Sequence, residues 1–129
     1  MSDNTQDEPK ILIVEDEKPM AKALNLKLNN SGFSAEMAGD GEQALETLEN
    51  NQFDVLLLDL VMPNLDGFDV LEKLNSEDSP FDRPGTIIIL SNLSQESDIE
   101  KAKEMGADDF FIKSDISINK VVDEVKQYA

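Results

Sequence analysis

Residues 53–60 read FDVLLLDL, with four consecutive large apolar residues, Val55, Leu56, Leu57 and Leu58, closed by Asp59. A run that is short and continuous, not alternating, is the pattern of a strand covered on both faces. Two more such runs flank it: residues 10–14 (KILIV) before it and residues 86–90 (TIIIL) after it. Between these runs the apolar period changes to that of helices. Ala21, Leu24 and Leu28 share one face of residues 18–30, where Pro19 suits a first helical turn and Gly32 follows the end.

The same alternation continues along the chain. Residues 34–38 form a weaker second strand, and Asp40 with Gln43 resembles a capping box for a second helix carrying Ala44, Leu45 and Leu48. The third strand is predicted over 53–60. A third helix over 68–74 follows the turn-rich stretch 63–67, in which Asp66 reads as a turn residue, and residues 75–85 form a long loop. Ser97 and Glu100 suggest a capping box for a fourth helix that turns Ile99, Ala102 and Met105 inward and ends at Gly106. Residues 109–112 hold the fifth strand, and Ser117 caps a last helix with Ile118, Val121, Val122, Val125 and Tyr128 at helical spacing. Five βα units with continuous apolar strands predict an α/β fold, a doubly wound parallel sheet with helices on both faces.

Composition narrows the chemistry. The 129 residues suit one domain, with residues 1–9 expected as a polar disordered leader and 10–129 as the domain. There is no cysteine and no histidine, which removes disulfides, thiol or imidazole catalysis and Cys or His metal sites. Asp and Glu total 28 against 11 Lys and Arg, a formal net charge of -17, which disfavours direct nucleic-acid binding. No apolar run is long enough for membrane insertion, and a cytoplasmic location is the expectation. Most of the excess acid serves solubility.

In open parallel α/β sheets, ligands bind outside the carboxyl ends of the strands. There the chain places Glu15, Asp16 and Glu17 after the first strand, Asp59 after the third, Ser91 and Asn92 after the fourth and Lys113 after the fifth. Carboxylates gathered at one edge disfavour one another's ionised form unless a cation joins them. Mg²⁺ (or Mn²⁺) suits such oxygen donors. Asp16 and Asp59 can ligate it, Glu15 can hold a coordinated water, and the Val61 carbonyl can contribute. Lys113 adds a fixed positive charge and Ser91 a hydroxyl, so Asp59 has the surroundings of a carboxylate nucleophile toward phosphorus.

At this point the sequence resembles the receiver domain of two-component response regulators, of the chemotaxis-regulator type. The resemblance rests on ILIVEDE (11–17), LLLDLVMPNLDG (57–67), IIILSN (87–92) and GADDFFIKS (106–114), in order and over about residues 10–128. It implies a flavodoxin-like (βα)5 fold with strand order 2-1-3-4-5, the order that chemotaxis regulators share with flavodoxin. It implies Glu15 and Asp16 as the acidic metal pair, Asp59 as phosphoacceptor, Val61 as a metal-binding carbonyl, Ser91 as switch hydroxyl, Lys113 as the site lysine and Phe110 as switch aromatic. It further implies a phosphoryl donor that is a histidine kinase or histidine phosphotransfer protein. Output passes through the fourth helix, fifth strand and fifth helix to a downstream protein target, from a monomer or a weak phosphorylation-dependent dimer. Such a chain is no enzyme beyond catalysing its own phosphorylation and dephosphorylation. With no effector segment after the fifth helix, output by partner binding or onward phosphotransfer is the expectation.

Two departures from the family pattern matter. Ser114 stands where the family usually has proline after the lysine, often with a cis bond. A cis non-proline peptide costs about 2.5–4 kcal/mol, which favours a trans bond with an altered switch geometry and leaves the cis form open. Val61 and Leu93 flank the site with apolar side chains, which predicts slow self-dephosphorylation. Two other classes compete: a phosphatase of the haloacid dehalogenase type, which needs an Asp where this chain has Val61, and an unphosphorylated receiver-like module, which usually lacks the acids kept here. Neither G-x-x-x-x-G-K-[ST] nor G-x-G-x-x-G occurs. Leu26, roughly opposite Leu28 on the first helix, reads either as an ordinary exposed leucine or as part of a kinase-docking face.

Overall fold

The computed structural model describes residues 8–81 and 83–129; the expected leader therefore lies mostly outside the described residues. Five strands and five helices alternate: β1 (Lys10–Val14), α1 (Lys18–Asn29), β2 (Ser34–Ala38), α2 (Gly41–Asn50), β3 (Val55–Leu58), α3 (Gly67–Asn75), β4 (Thr86–Ser91), α4 (Glu96–Glu104), β5 (Asp109–Ile112) and α5 (Ile118–Tyr128). A single 3-10 turn, Lys113–Asp115, joins β5 to α5. The sheet is wholly parallel, in the order β2-β1-β3-β4-β5. The expected fold class and strand order are therefore present.

Successive strand residues point to opposite faces, and the core divides accordingly. Leu12 and Val14, Leu56 and Leu58, and Ile87 and Ile89 face α2, α3 and Ala102 of α4. Ile11 and Ile13, Val55 and Leu57, and Ile88 and Leu90 face α1 and α5. β1 and β3 are buried on both sides, which is why their sequences show no alternation. Removing each large aliphatic side chain from water contributes about 1.5–3 kcal/mol.

Local chemistry sets the boundaries. Pro19 occupies the first turn of α1, and Gly32 follows the helix at φ 96°, a conformation open to glycine. Asp40 caps α2 by accepting from the Gln43 N–H, but the Gln43 side chain accepts from Gly39, one residue before the box position. Asp66 is more than a turn residue: with Asp69 it forms a full capping box at the start of α3. Ser117 caps α5 through the Lys120 N–H.

Three further expectations need correction. β3 is shorter than 53–60, because the Asp54 carboxylate takes the Lys10 N–H at the strand's entrance and Asp59 lies just past its exit. The fourth helix starts from Gln95 without a side-chain cap; Ser97 and Glu100 lie inside it, exposed. Of its inward set only Ala102 is buried, while Ile99 and Met105 are half-buried. α4 is instead tied at its end from outside, where the Asn75 side-chain amide donates to the Met105 carbonyl and Arg83 to that of Gly106 at 3.0 Å.

Among the described residues no helix is long and apolar enough to cross a membrane. No peptide bond among the described residues is cis, so Lys113–Ser114 is trans.

Candidate functional site

The sheet register builds the site. Val14 pairs with Leu58, and the Asp59 N–H extends that ladder to the Val14 carbonyl at 3.0 Å. Glu15 and Asp59 thereby leave adjacent strands side by side. On the other flank Ser91 pairs with Ile112, which delivers Lys113 to the same edge. At the start of α3, Gly67 lies against the Asp59–Leu60 backbone: a Cβ there would meet the Asp59 carbonyl and come within 2.7 Å of Leu60 Cα.

Four side chains converge around Asp59. Glu15, Asp16 and Asp59 each offer a carboxylate oxygen, and these oxygens lie within 4.8 Å of one another. Lys113 Nζ stands 2.7 Å from Glu15 Oε1, 2.9 Å from Asp59 Oδ2 and 3.2 Å from Glu17 Oε1. Asp59 is only 4% exposed, and its Oδ1 accepts the Val61 N–H at 3.2 Å. The second Glu15 oxygen accepts the Glu17 N–H at 3.0 Å. A cleft of about 330 Å³ opens above, lined by Asp16, Glu17, Asp59, Val61, Asn92, Leu93 and Lys113.

Electrostatics follow from burial and pairing. Burial pushes the Glu15 carboxyl up, opposed by the Lys113 and Glu17 hydrogen bonds and reinforced by the negative charge of Asp59. For Lys113 burial works toward neutrality, but the hydrogen bonds to Glu15 and Asp59 and their charges outweigh it. The ammonium is thus held well above the usual lysine range. An all-oxygen, anionic donor set of this kind fits a hard divalent cation, for which Asp16 stays exposed at the cleft mouth.

The residues singled out in sequence fall as follows. Glu15, Asp16, Asp59, Val61 and Lys113 come together. The Val61 side chain is 57% exposed and shares the cleft with Leu93. Ser91 is fully buried at the end of β4, where its hydroxyl accepts the Leu93 N–H at 3.3 Å. Phe110 is half-buried against the core facing α2 and α3. Leu26 is 64% exposed on α1. Two roles were missed. Glu17 joins the Lys113 ion-pair cluster, and Asn92 accepts the Ser114 N–H at 3.1 Å. Their place directly after strand ends was the only available signal.

The chain is thus a doubly wound α/β domain that gathers an acidic cluster and a lysine at the carboxyl edge of its sheet. The response regulator receiver domain family matches residues 11–126, and the chain belongs to that family, as part of a two-component system. It is 38% identical over 104 residues to a probable transcriptional regulator, ycf27, of Porphyridium aerugineum, covering 81% of this chain and 41% of that protein. The chain thus spans about two fifths of that relative's length. Among solved structures it resembles the receiver domain of the Francisella response regulator 1452, at TM-score 0.83 and 30% identity, covering 94% of this chain and 96% of that one. The chemotaxis protein CheY4 of Vibrio cholerae shares the fold at TM-score 0.82 and 23% identity, over 95% and 99% of the two chains.

Proposed function

We propose that Asp59 accepts a phosphoryl group from a phosphohistidine on a histidine kinase or phosphotransfer protein, and that the chain then signals to a protein partner. The observation that carries this reading is the Asp59 carboxylate itself. It is nearly buried, faces an open cleft, and lies 2.9 Å from the Lys113 ammonium beside two further carboxylates. Such a carboxylate is shielded from bulk water yet reachable from one side.

One Asp59 oxygen attacks phosphorus as the P–N bond of the donor breaks. The imidazole nitrogen keeps the bonding pair, and an acyl phosphate forms. Lys113 offsets charge on the transferring group and holds the carboxylate in place. The Val61 N–H fixes the rotation of that carboxylate through Oδ1. Val61 and Leu93 limit the approach of water afterwards. Asp16, Asp59 and the Val61 carbonyl would hold Mg²⁺ (or Mn²⁺), with Glu15 on a coordinated water; the bound ion would supply charge neutralisation at the phosphoryl oxygens.

Ser91 and Phe110 carry the output in this reading. Drawing the Ser91 hydroxyl from Leu93 to the phosphoryl group shifts the loop before α4. Phe110 follows, and the face of α4, β5 and α5 changes shape as a shift between existing conformations. The thin anchoring of α4, through Ala102 and end contacts, suits it to move. A cytoplasmic setting, where the kinase acts, belongs to the same reading.

Intact mass after incubation with acetyl phosphate and Mg²⁺ tests it. One added phosphoryl group is expected on the wild type and none on Asp59→Asn. Labelling that persists in the variant, or no labelling of the wild type with any donor, overturns the reading.

A further inference from the structure

The residue after the site lysine makes a backbone contact across the edge of the sheet that a proline there could not make. β5 ends at Ile112, and the chain enters the 3-10 turn Lys113–Asp115, which has no side-chain cap at its start. The first N–H groups of such a turn lack partners within it. The Ser114 N–H finds one in the side-chain carbonyl of Asn92, at 3.1 Å. Asn92 follows Ser91 directly, so this bond ties the loop after β4 to the loop after β5 at the residue next to Lys113. Proline at position 114 would have no N–H to give.

We infer that Asn92 is a positioning residue for Lys113, acting through the Ser114 N–H. Lys113 must reach Glu15 and Asp59 from the outer side of the edge, and its backbone direction is set where the turn begins. β5 itself is an edge strand, hydrogen-bonded only to β4, and none of its four residues is fully buried. The Asn92 bond therefore supplies a second anchor just where the strand's own support ends. Asn92 also lines the cleft, so direct contact with an incoming phosphoryl group is the competing explanation that the test must separate.

This inference rests on Asp59 being the phosphoacceptor, and the test keeps the two apart. Phosphoryl uptake from acetyl phosphate with Mg²⁺ is followed by intact mass for wild type, Asn92→Ala, Ser114→Pro, Ser114→Ala and Lys113→Ala, and for Asn92→Ala combined with Lys113→Ala. Amide hydrogen exchange at Ser114 is measured on unphosphorylated wild type and Asn92→Ala. Positioning through the N–H predicts about fivefold slower maximal uptake for Asn92→Ala, the size of one neutral hydrogen bond, with the half-saturating donor concentration unchanged. Ser114→Pro slows uptake alike, Ser114→Ala keeps the wild-type rate, and Asn92→Ala adds nothing once Lys113 is absent. Ser114 exchange quickens about fivefold in Asn92→Ala.

An Asn92→Ala defect that persists in the Lys113→Ala background, or that Ser114→Pro does not share, shows direct contact and overturns the inference. So does unchanged Ser114 exchange, which decides the matter even if no donor labels the wild type; absent labelling counts against the phosphoacceptor reading instead.

Discussion

Lys113 and Asp59, 54 positions apart in sequence, meet at 2.9 Å across the edge of the sheet, Nζ to Oδ2. Parallel pairing makes this possible. β5 pairs with β4 and β4 with β3, so the residues leaving β5 and β3 emerge on one side. The side chain of Lys113 is 8% exposed and that of Asp59 4%, which sets the pair apart from a surface ion pair of little consequence.

Replacing Lys113 with alanine leaves Glu15 and Asp59 facing each other without a counter-charge. Breaking a buried pair from one side costs about 3–5 kcal/mol, and partial access of water to the cleft places this case toward the lower end. Urea unfolding should show a loss of about 3 kcal/mol, and phosphoryl uptake should slow by at least about tenfold. Divalent cation in the unfolding buffer should recover part of the lost stability by mass action on the folded state.

Val61 and Leu93 present apolar groups to the cleft where a polar side chain would hold an attacking water. The half-life of the phosphorylated wild type should exceed that of Val61→Asn severalfold, about fivefold for one hydrogen bond to water. Phosphoprotein decay followed by intact mass measures it; an equal or shorter wild-type half-life contradicts the role given to these flanks.

Gly67 lets α3 start directly on the backbone that carries Asp59. A methyl group there meets the Asp59 carbonyl and the Leu60 Cα, backbone atoms that cannot rotate away. Gly67→Ala should destabilise the chain by about 1–3 kcal/mol, as overpacking does, and lower its melting temperature by several degrees in calorimetry.

Tyr128 anchors the end of α5 by donating its hydroxyl to Asp109 Oδ2 at 3.0 Å. That bond, then burial and the Asp109 charge, favour the neutral phenol and raise its pKa above the ordinary 10.0. A group raised on folding stabilises below its unfolded value and loses that contribution as pH climbs through the folded one. Tyr128→Phe should therefore cost under about 1 kcal/mol near neutral pH, given the exposure of the pair. The difference from wild type should close above about pH 10, in denaturation series run at each pH.

The elements most legible in sequence were those with continuous apolar runs. Ile11 to Val14 and Ile87 to Leu90 have no competing period, so β1 is bounded as expected and β4 gains only Ser91. Boundaries were misread where a polar side chain has two uses. Asp54 looks like a strand residue within FDVLLLDL but serves the Lys10 N–H. Ser97 looks like a cap, yet the helix begins earlier at Gln95, which has no preferred capping group and left no mark. The acids and the lysine of the site were legible because the strand-end rule places them on one edge. The Glu17 contact to Lys113, 96 positions away, was not, because it depends on side-chain reach over that edge. Ser114 was legible as a departure; its bond to Asn92 required the two loops in space.

The central claim is that Asp59, and no other acid of the 28 in the chain, carries the phosphoryl group. Borohydride reduction of the phosphorylated protein converts an aspartyl phosphate to homoserine, and peptide mass spectrometry then locates it. Homoserine at position 59 alone is the predicted result. Homoserine at another aspartate such as Asp16, or 5-hydroxynorvaline at a glutamate such as Glu15, with Asp59 intact, contradicts the account.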